Sequence, residues 1–134
     1  MHRNRTPARL SDLAILIVED EYYLAIDLAE QIERSGGSVV GPFATAEEGI
    51  AALADMQPAC ALIDINTGDG PSFGLADALT RLGIPFVFMT GYDAEVIPER
   101  FAGIVCVQKP ANGPTALEAL ENLTRDRNRA ASGA

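Results

Sequence analysis

The sequence is short of cations, of cysteine and of long apolar runs, and each shortage bears on what the protein can do. Its 134 residues carry ten Lys or Arg against nineteen Asp or Glu, a formal charge of −9. The cations crowd the two ends: Arg3, Arg5 and Arg9 at one, Arg125, Arg127 and Arg129 at the other. Between residues 10 and 124 only Arg34, Arg81, Arg100 and Lys109 remain, and against eighteen acids they leave the body at −14. Duplex binding replaces condensed counterions with clustered cations, so this balance argues against nucleic acid as a partner. No stretch approaches the ~20 apolar residues of a membrane span. The basic start leads into no apolar segment with a small-residue cleavage site, so a cytoplasmic protein with no membrane partner is expected. Two cysteines, Cys60 and Cys106, stand in separate apolar runs; they make neither a metal site nor a disulfide framework, and each reads as a small hydrophobe.

The length suits one domain, and 48% hydrophobic with 22% charged residues is ordinary for a chain that buries its own core. Residues 1–10 and 125–134 are polar and without apolar period, so flexible tails are expected there. The interior alternates between two patterns. LAILIV (Leu13–Val18), CALI (Cys60–Ile63), FVFM (Phe86–Met89) and IVCV (Ile104–Val107) have the length and composition of strands buried on both faces. A weaker run, SVVG (Ser38–Gly41), precedes Pro42.

Segments of helical period lie between these runs. Leu24, Ala25, Leu28 and Ile32 share a face that ends at Arg34, Ser35 and the Gly36–Gly37 stop. Thr45 with Glu48 matches a capping box, which puts Ile50, Leu53 and Ala54 on a second helix reaching about Met56. A third covers Phe73 to Leu82, and a last one opens at Pro114 and carries Leu117, Leu120 and Leu123. Pro98 allows only a short helix between Asp93 and Phe101. The alternation implies an α/β fold, a doubly wound five-stranded parallel sheet of flavodoxin-like order 2-1-3-4-5 with helices on both faces, the fourth of them short. In that order strands 3 and 5 are two positions apart, roughly 9–10 Å, beyond the reach of a Cys60–Cys106 disulfide. Gly68, Gly70 and Gly74 follow a strand as a dinucleotide fingerprint would, but the last gap is one residue too long and no second nucleotide-binding half fits.

Ligands of such folds sit beyond the carboxyl ends of strands 1 and 3. Strand 1 ends in Glu19-Asp20-Glu21, strand 3 in Asp64, strand 4 in Thr90-Gly91, and strand 5 in Lys109-Pro110, where Lys109 is the sole lysine of the chain. Two carboxylates ~4 Å apart repel by about 4 kcal/mol at an effective dielectric of ~20. A divalent oxygen-loving cation removes that penalty, and Mg²⁺ suits one to three carboxylates and a shared phosphoryl oxygen. Glu21 reads instead as an acid at a helix start.

The segments ILIVEDE (Ile15–Glu21), ALIDIN (Ala61–Asn66), FMTGYD (Phe88–Asp93) and QKP (Gln108–Pro110), in this order and spacing, resemble the receiver domain of two-component response regulators. The FMTGY segment with a proline-interrupted helix after it is similar to the subgroup called FAT GUY receivers, and the resemblance covers about residues 12–124. It implies a receiver domain over residues 11–124 in which Asp64 accepts a phosphoryl group. Glu19, Asp20, Asp64 and the backbone carbonyl of Asn66 would hold Mg²⁺, and Thr90 and Lys109 would bind phosphoryl oxygens. A metal and an ammonium together offset the charge that otherwise keeps a carboxylate from attacking phosphorus.

The donor the resemblance implies is a histidine kinase or a histidine phosphotransfer protein, in two-component or phosphorelay signalling. The expected protein is a single-domain response regulator with no output domain. It would be a phosphoacceptor rather than an enzyme, with at most weak Mg²⁺-dependent self-phosphorylation and autodephosphorylation. Two departures concern the output: Cys106 stands where many receivers carry an aromatic residue, and the segment 93–101 is too short for the usual fourth helix, which leaves Tyr92 as the candidate aromatic. One rival is a receiver-like interaction module that is never phosphorylated. A second, a phosphatase with an Asp nucleophile, lacks the second acid two residues after Asp64, where Asn66 stands.

Overall fold

The computed structural model describes residues 10–65, 73–91, 97–108 and 113–133. Five strands, β1 (Ala14–Val18), β2 (Ser38–Phe43), β3 (Cys60–Asp64), β4 (Phe86–Thr90) and β5 (Cys106–Gln108), form one parallel sheet in the order β2-β1-β3-β4-β5. The helices α1 (Tyr22–Arg34), α2 (Ala46–Ala52), α3 (Gly74–Leu82) and α4 (Gly113–Gly133) alternate with the strands, and among the described residues between β4 and β5 lies a 3₁₀ turn, Glu99–Phe101. The doubly wound order read from the sequence is the order found. It keeps Cys60 and Cys106 on strands separated by β4, and they are not cross-linked.

The sheet separates two cores. On one side Leu28 and Ile32 of α1 and Ala116 and Leu120 of α4 pack on Ile15, Ile17, Leu62, Val87 and Met89. On the other, Ala46 of α2, Leu75, Ala76 and Leu79 of α3, and Phe101 of the 3₁₀ turn pack on Leu16, Val18, Ala61, Ile63, Phe86 and Phe88. The central strands β1, β3 and β4 are covered on both faces, which explains their unbroken apolar runs.

Local chemistry sets the element ends. Thr45 Oγ1 accepts the Glu48 N–H at 3.1 Å as the spacing implies, while Glu48 Oε1 accepts the Ala44 N–H at 3.1 Å, one residue before the cap, in a shifted form of the capping box. The buried face of α2 is Ala46 and Gly49, however, while Ile50 is exposed and the helix ends at Ala52 rather than near Met56. Gly49 is the reason: a Cβ there would lie 2.9 Å from Val18 Cγ2 and 3.1 Å from Leu75 Cδ2, so the helix approaches the sheet at its glycine.

Three boundaries differ from the sequence reading. β5 covers Cys106–Gln108, not Ile104–Val107, and only Val107 of it is buried; Cys106 is exposed, because the strand lies at the sheet edge with one neighbour. Leu10, read as part of a flexible tail, is fully buried in the first core, and its N–H donates to Ser35 O at 3.0 Å. The helix α4 continues through residues 125–133, where a second tail was expected; Arg and Ala are strong helix formers, and no proline interrupts them before Gly133. Among the described residues no helix is long and apolar enough to cross a membrane.

Candidate functional site

The carboxyl ends of β1, β3 and β4 bring Glu19, Asp20, Asp64 and Thr90 together. Val18 is in register with Ile63, and Asp64 with Met89, so Thr90 follows one residue after the strand partner of Asp64. The Ile65 N–H donates to Met89 O at 3.0 Å and extends this pairing past the end of β3. Apolar strands thus deliver polar groups at the point where their apolar run stops, and Glu19, Asp64 and Thr90 are only 2%, 5% and 4% exposed. Asp20, one residue farther along, is exposed.

Glu19 is held by its backbone as well as its side chain. Its N–H donates to Phe43 O at 2.9 Å, and its Oε2 accepts the Glu21 N–H at 2.9 Å. The first bond depends on a bend in β2. The β1–β2 register shifts between Leu16 and Val18, and Gly41 takes φ +103°, where a Cβ would lie 2.7 Å from Phe43 N and 3.1 Å from Ile17 O. Only glycine accepts that conformation readily. The second bond closes the start of α1, so Glu21 is the residue preceding the helix rather than a member of its first turn.

Carboxylate oxygens of Glu19, Asp20 and Asp64 all lie within 4.8 Å of one another. An octahedral cation with oxygen ligands at about 2.0–2.1 Å needs oxygens separated by roughly 3–4 Å, so small adjustments would close the three acids on one ion. Without a cation, like charges at this spacing in a buried setting repel strongly. Beside them, Thr90 Oγ1 is buried without a hydrogen-bond partner among the described residues. A buried hydroxyl in that condition costs free energy unless it gains a partner, so Thr90 is suited to hydrogen-bond an oxygen-bearing ligand at this edge of the sheet.

Of the residues singled out in the sequence, Glu19, Asp20 and Asp64 lie together, and Thr90 ends the strand beside Asp64. Asn66, Lys109 and Tyr92 lie outside the described residues. Sequence pattern had not pointed to Phe43 as the partner that anchors Glu19, nor to the ring packing on the face of β4 that carries Phe86 and Phe88. There Phe73, Phe86, Phe88 and Phe101 form one aromatic cluster with ring centroids 5.3–6.1 Å apart. Phe86 and Phe88 precede Thr90 at period two on the same face of β4. The nearby 3₁₀ turn is tied to α3 by a bidentate pair, with Arg100 Nε and Nη2 donating to Asp77 Oδ1 and Oδ2 at 3.0 and 2.9 Å. The hydrogen bond from Arg100 holds the Asp77 carboxyl below the ordinary carboxylate range.

No family model matches the chain. It is 36% identical over 90 residues to the phyllosphere-induced regulator PhyR of Methylorubrum extorquens, an alignment covering 65% of this chain and 32% of that protein. The chain therefore spans about a third of the length of this curated relative. The solution structure of SdrG from Sphingomonas melonis Fr1 is similar with a TM-score of 0.69 and 35% identity, covering 84% of this chain and 97% of SdrG. The signal receiver domain of a modulated diguanylate cyclase from Desulfovibrio desulfuricans G20 is similar at a TM-score of 0.76 and 27% identity, covering 88% of this chain and 98% of the domain. With three acids and a hydroxyl gathered at the carboxyl edge of a 2-1-3-4-5 sheet, and SdrG matched along nearly its whole length, the chain belongs to the receiver-domain family of response regulators.

Proposed function

We propose that the protein is a Mg²⁺-dependent phosphoacceptor in which Asp64 takes a phosphoryl group from a histidine kinase or a histidine phosphotransfer protein. The observation that carries this reading is the cluster of three carboxylates at the strand ends, with the buried Thr90 hydroxyl on the adjacent strand lacking a partner among the described residues. Glu19, Asp20 and Asp64 would hold the ion, with the carbonyl of Asn66. When bound, Mg²⁺ supplies the positive charge that lets an anionic nucleophile meet an anionic phosphoryl group.

The rest falls to the chain's own residues. An Asp64 carboxylate oxygen forms the new bond to phosphorus as the phosphorus–nitrogen bond to the donor imidazole breaks, and the imidazole nitrogen keeps the bonding pair and then takes up a proton. Thr90 Oγ1 donates to a phosphoryl oxygen, and Lys109 pairs with another. The acyl phosphate so formed is labile, which suits a reversible signal. SdrG, for which a BeF₃-activated conformation is described, supports the phosphoryl-dependent reading. The Phe88–Thr90 stretch leading into Gly91 and Tyr92 supports placement in the FAT GUY subgroup.

The test is incubation with Mg²⁺ and acetyl phosphate, read by intact mass. One added phosphoryl group is expected on the wild type and none on Asp64→Asn or in excess chelator. Absence of an adduct with acetyl phosphate and with a histidine kinase, or an adduct of equal yield on Asp64→Asn, would overturn the reading.

A further inference from the structure

Phe101 differs from the three rings around it in what holds it. Phe86 and Phe88 are fixed by the sheet, and Phe73 lies at the start of α3. Phe101 belongs to a three-residue 3₁₀ turn, yet it is 4% exposed, stacked on Phe73 at 5.9 Å and edge-on to Phe88 at 5.6 Å. A single turn has little stability of its own. Its place depends on the Phe101 ring beneath β4 and on Arg100, which grips Asp77 with two hydrogen bonds and lies over the Phe101 ring, its Cζ 4.7 Å from the centroid. Arg100 and Phe101 are adjacent, so one cannot shift far without the other.

Thr90 is the next residue after Phe88 on this face of β4, and its buried hydroxyl must turn toward Asp64 to meet a phosphoryl oxygen. Buried groups that withdraw from a packed cluster leave lost contacts behind, which neighbours recover by moving in. Among the four rings Phe101 rides on the element least bound to the sheet. Cys106 on β5 cannot take that part, because it is exposed and carries no ring.

We propose that the Asp77–Arg100 pair is a latch that holds the 3₁₀ turn and Phe101 in the resting position and thereby opposes phosphoryl engagement by Thr90. This rests on the phosphoacceptor reading of the site and names the element through which that site is regulated. Release of the latch lets Phe101 follow Thr90, and the turn carries the change to the surface between α3 and β5. Coupling is reciprocal: if phosphoryl binding loosens the latch, loosening the latch strengthens phosphoryl binding by the same factor. An exposed bidentate pair limits that factor to about fivefold.

The experiment is a titration with beryllofluoride in saturating Mg²⁺, followed by amide NMR shifts, on the wild type, Arg100→Gln, Asp77→Asn and the double variant. Each single variant is expected to bind beryllofluoride about two- to fivefold more tightly, the double variant no more tightly than either single one, and Mg²⁺ affinity without beryllofluoride to stay as in the wild type. Phe101→Leu, which shortens the anchor without cutting the ion pair, should shift affinity in the same direction. A wild type that binds beryllofluoride while both ion-pair variants bind it equally or more weakly would overturn the latch alone. So would single effects that multiply in the double variant, or variants that change Mg²⁺ affinity instead. A wild type that fails to bind beryllofluoride would overturn the phosphoacceptor reading and the latch with it.

Discussion

The two faces of the sheet are built from different materials. One is aliphatic, with Leu28, Ile32, Ala116 and Leu120 packing from helices of thirteen and twenty-one residues. The other is aromatic and is covered by short pieces: a seven-residue helix, a nine-residue helix and a three-residue turn, with four of the protein's five phenylalanines in one cluster. Long helices bury enough apolar area to hold themselves in place. Short ones do not, and here each depends on a specific device: the Thr45–Glu48 capping box for α2, Gly83 at φ +73° closing α3, and the Asp77–Arg100 pair for the turn. The contrast is between a face held by long helices and a face held by local devices, and the site lies at the carboxyl edge of the sheet between them.

The largest expected effect lies on the aliphatic side. Leu120→Ala should cost about 2–5 kcal/mol in urea unfolding, while the fraction of folded molecules that accept a phosphoryl group at Asp64 stays unchanged. Loss of acceptance at full folding would place the site's support on the wrong face. On the aromatic side, Thr45→Ala should cost about 1 kcal/mol by the same measurement, with Thr45→Asn retaining most of it. A pH test isolates the turn. The Asp77 carboxyl is held low by its hydrogen bond from Arg100, so its contribution is fully present above the ordinary carboxylate range and is lost as pH falls through the lowered value. The difference in Tm between wild type and Asp77→Asn should therefore shrink on acidification and with added salt; a difference that grows would contradict the pairing. The smallest effect concerns the exposed edge. Burial of part of the Cys106 thiol pushes its pKa up, so alkylation of Cys106 should keep accelerating with pH beyond the point where an unhindered cysteine levels off, while buried Cys60 stays unmodified in the folded protein.

These faces were unequally legible in the sequence. The strands β1, β3 and β4 announce themselves because burial on both sides demands an unbroken apolar run, and the order 2-1-3-4-5 follows from alternation and crossover handedness. The site acids were legible for a related reason: Glu19, Asp20 and Asp64 interrupt such runs at the end where ligands bind. IVCV misled because an edge strand with one neighbour can carry the same apolar letters while leaving Val105 and Cys106 exposed. Leu10 was invisible as core because one apolar residue in a polar stretch has no period. Asp77 and Arg100 lie 23 residues apart and Phe73 and Phe101 28 apart, farther than any periodicity can register; both contacts exist only once α3 and the turn meet.

The bond from the Glu19 amide to Phe43 ties an acid of the site into the ladder of the outermost strand. That amide should exchange its hydrogen with solvent at the rate at which β2 peels away, and not at the rate of any motion within the acidic cluster. Fraying of β2 and release of Glu19 are then coupled events, while Asp64 and Thr90 stay held by strands that do not touch β2.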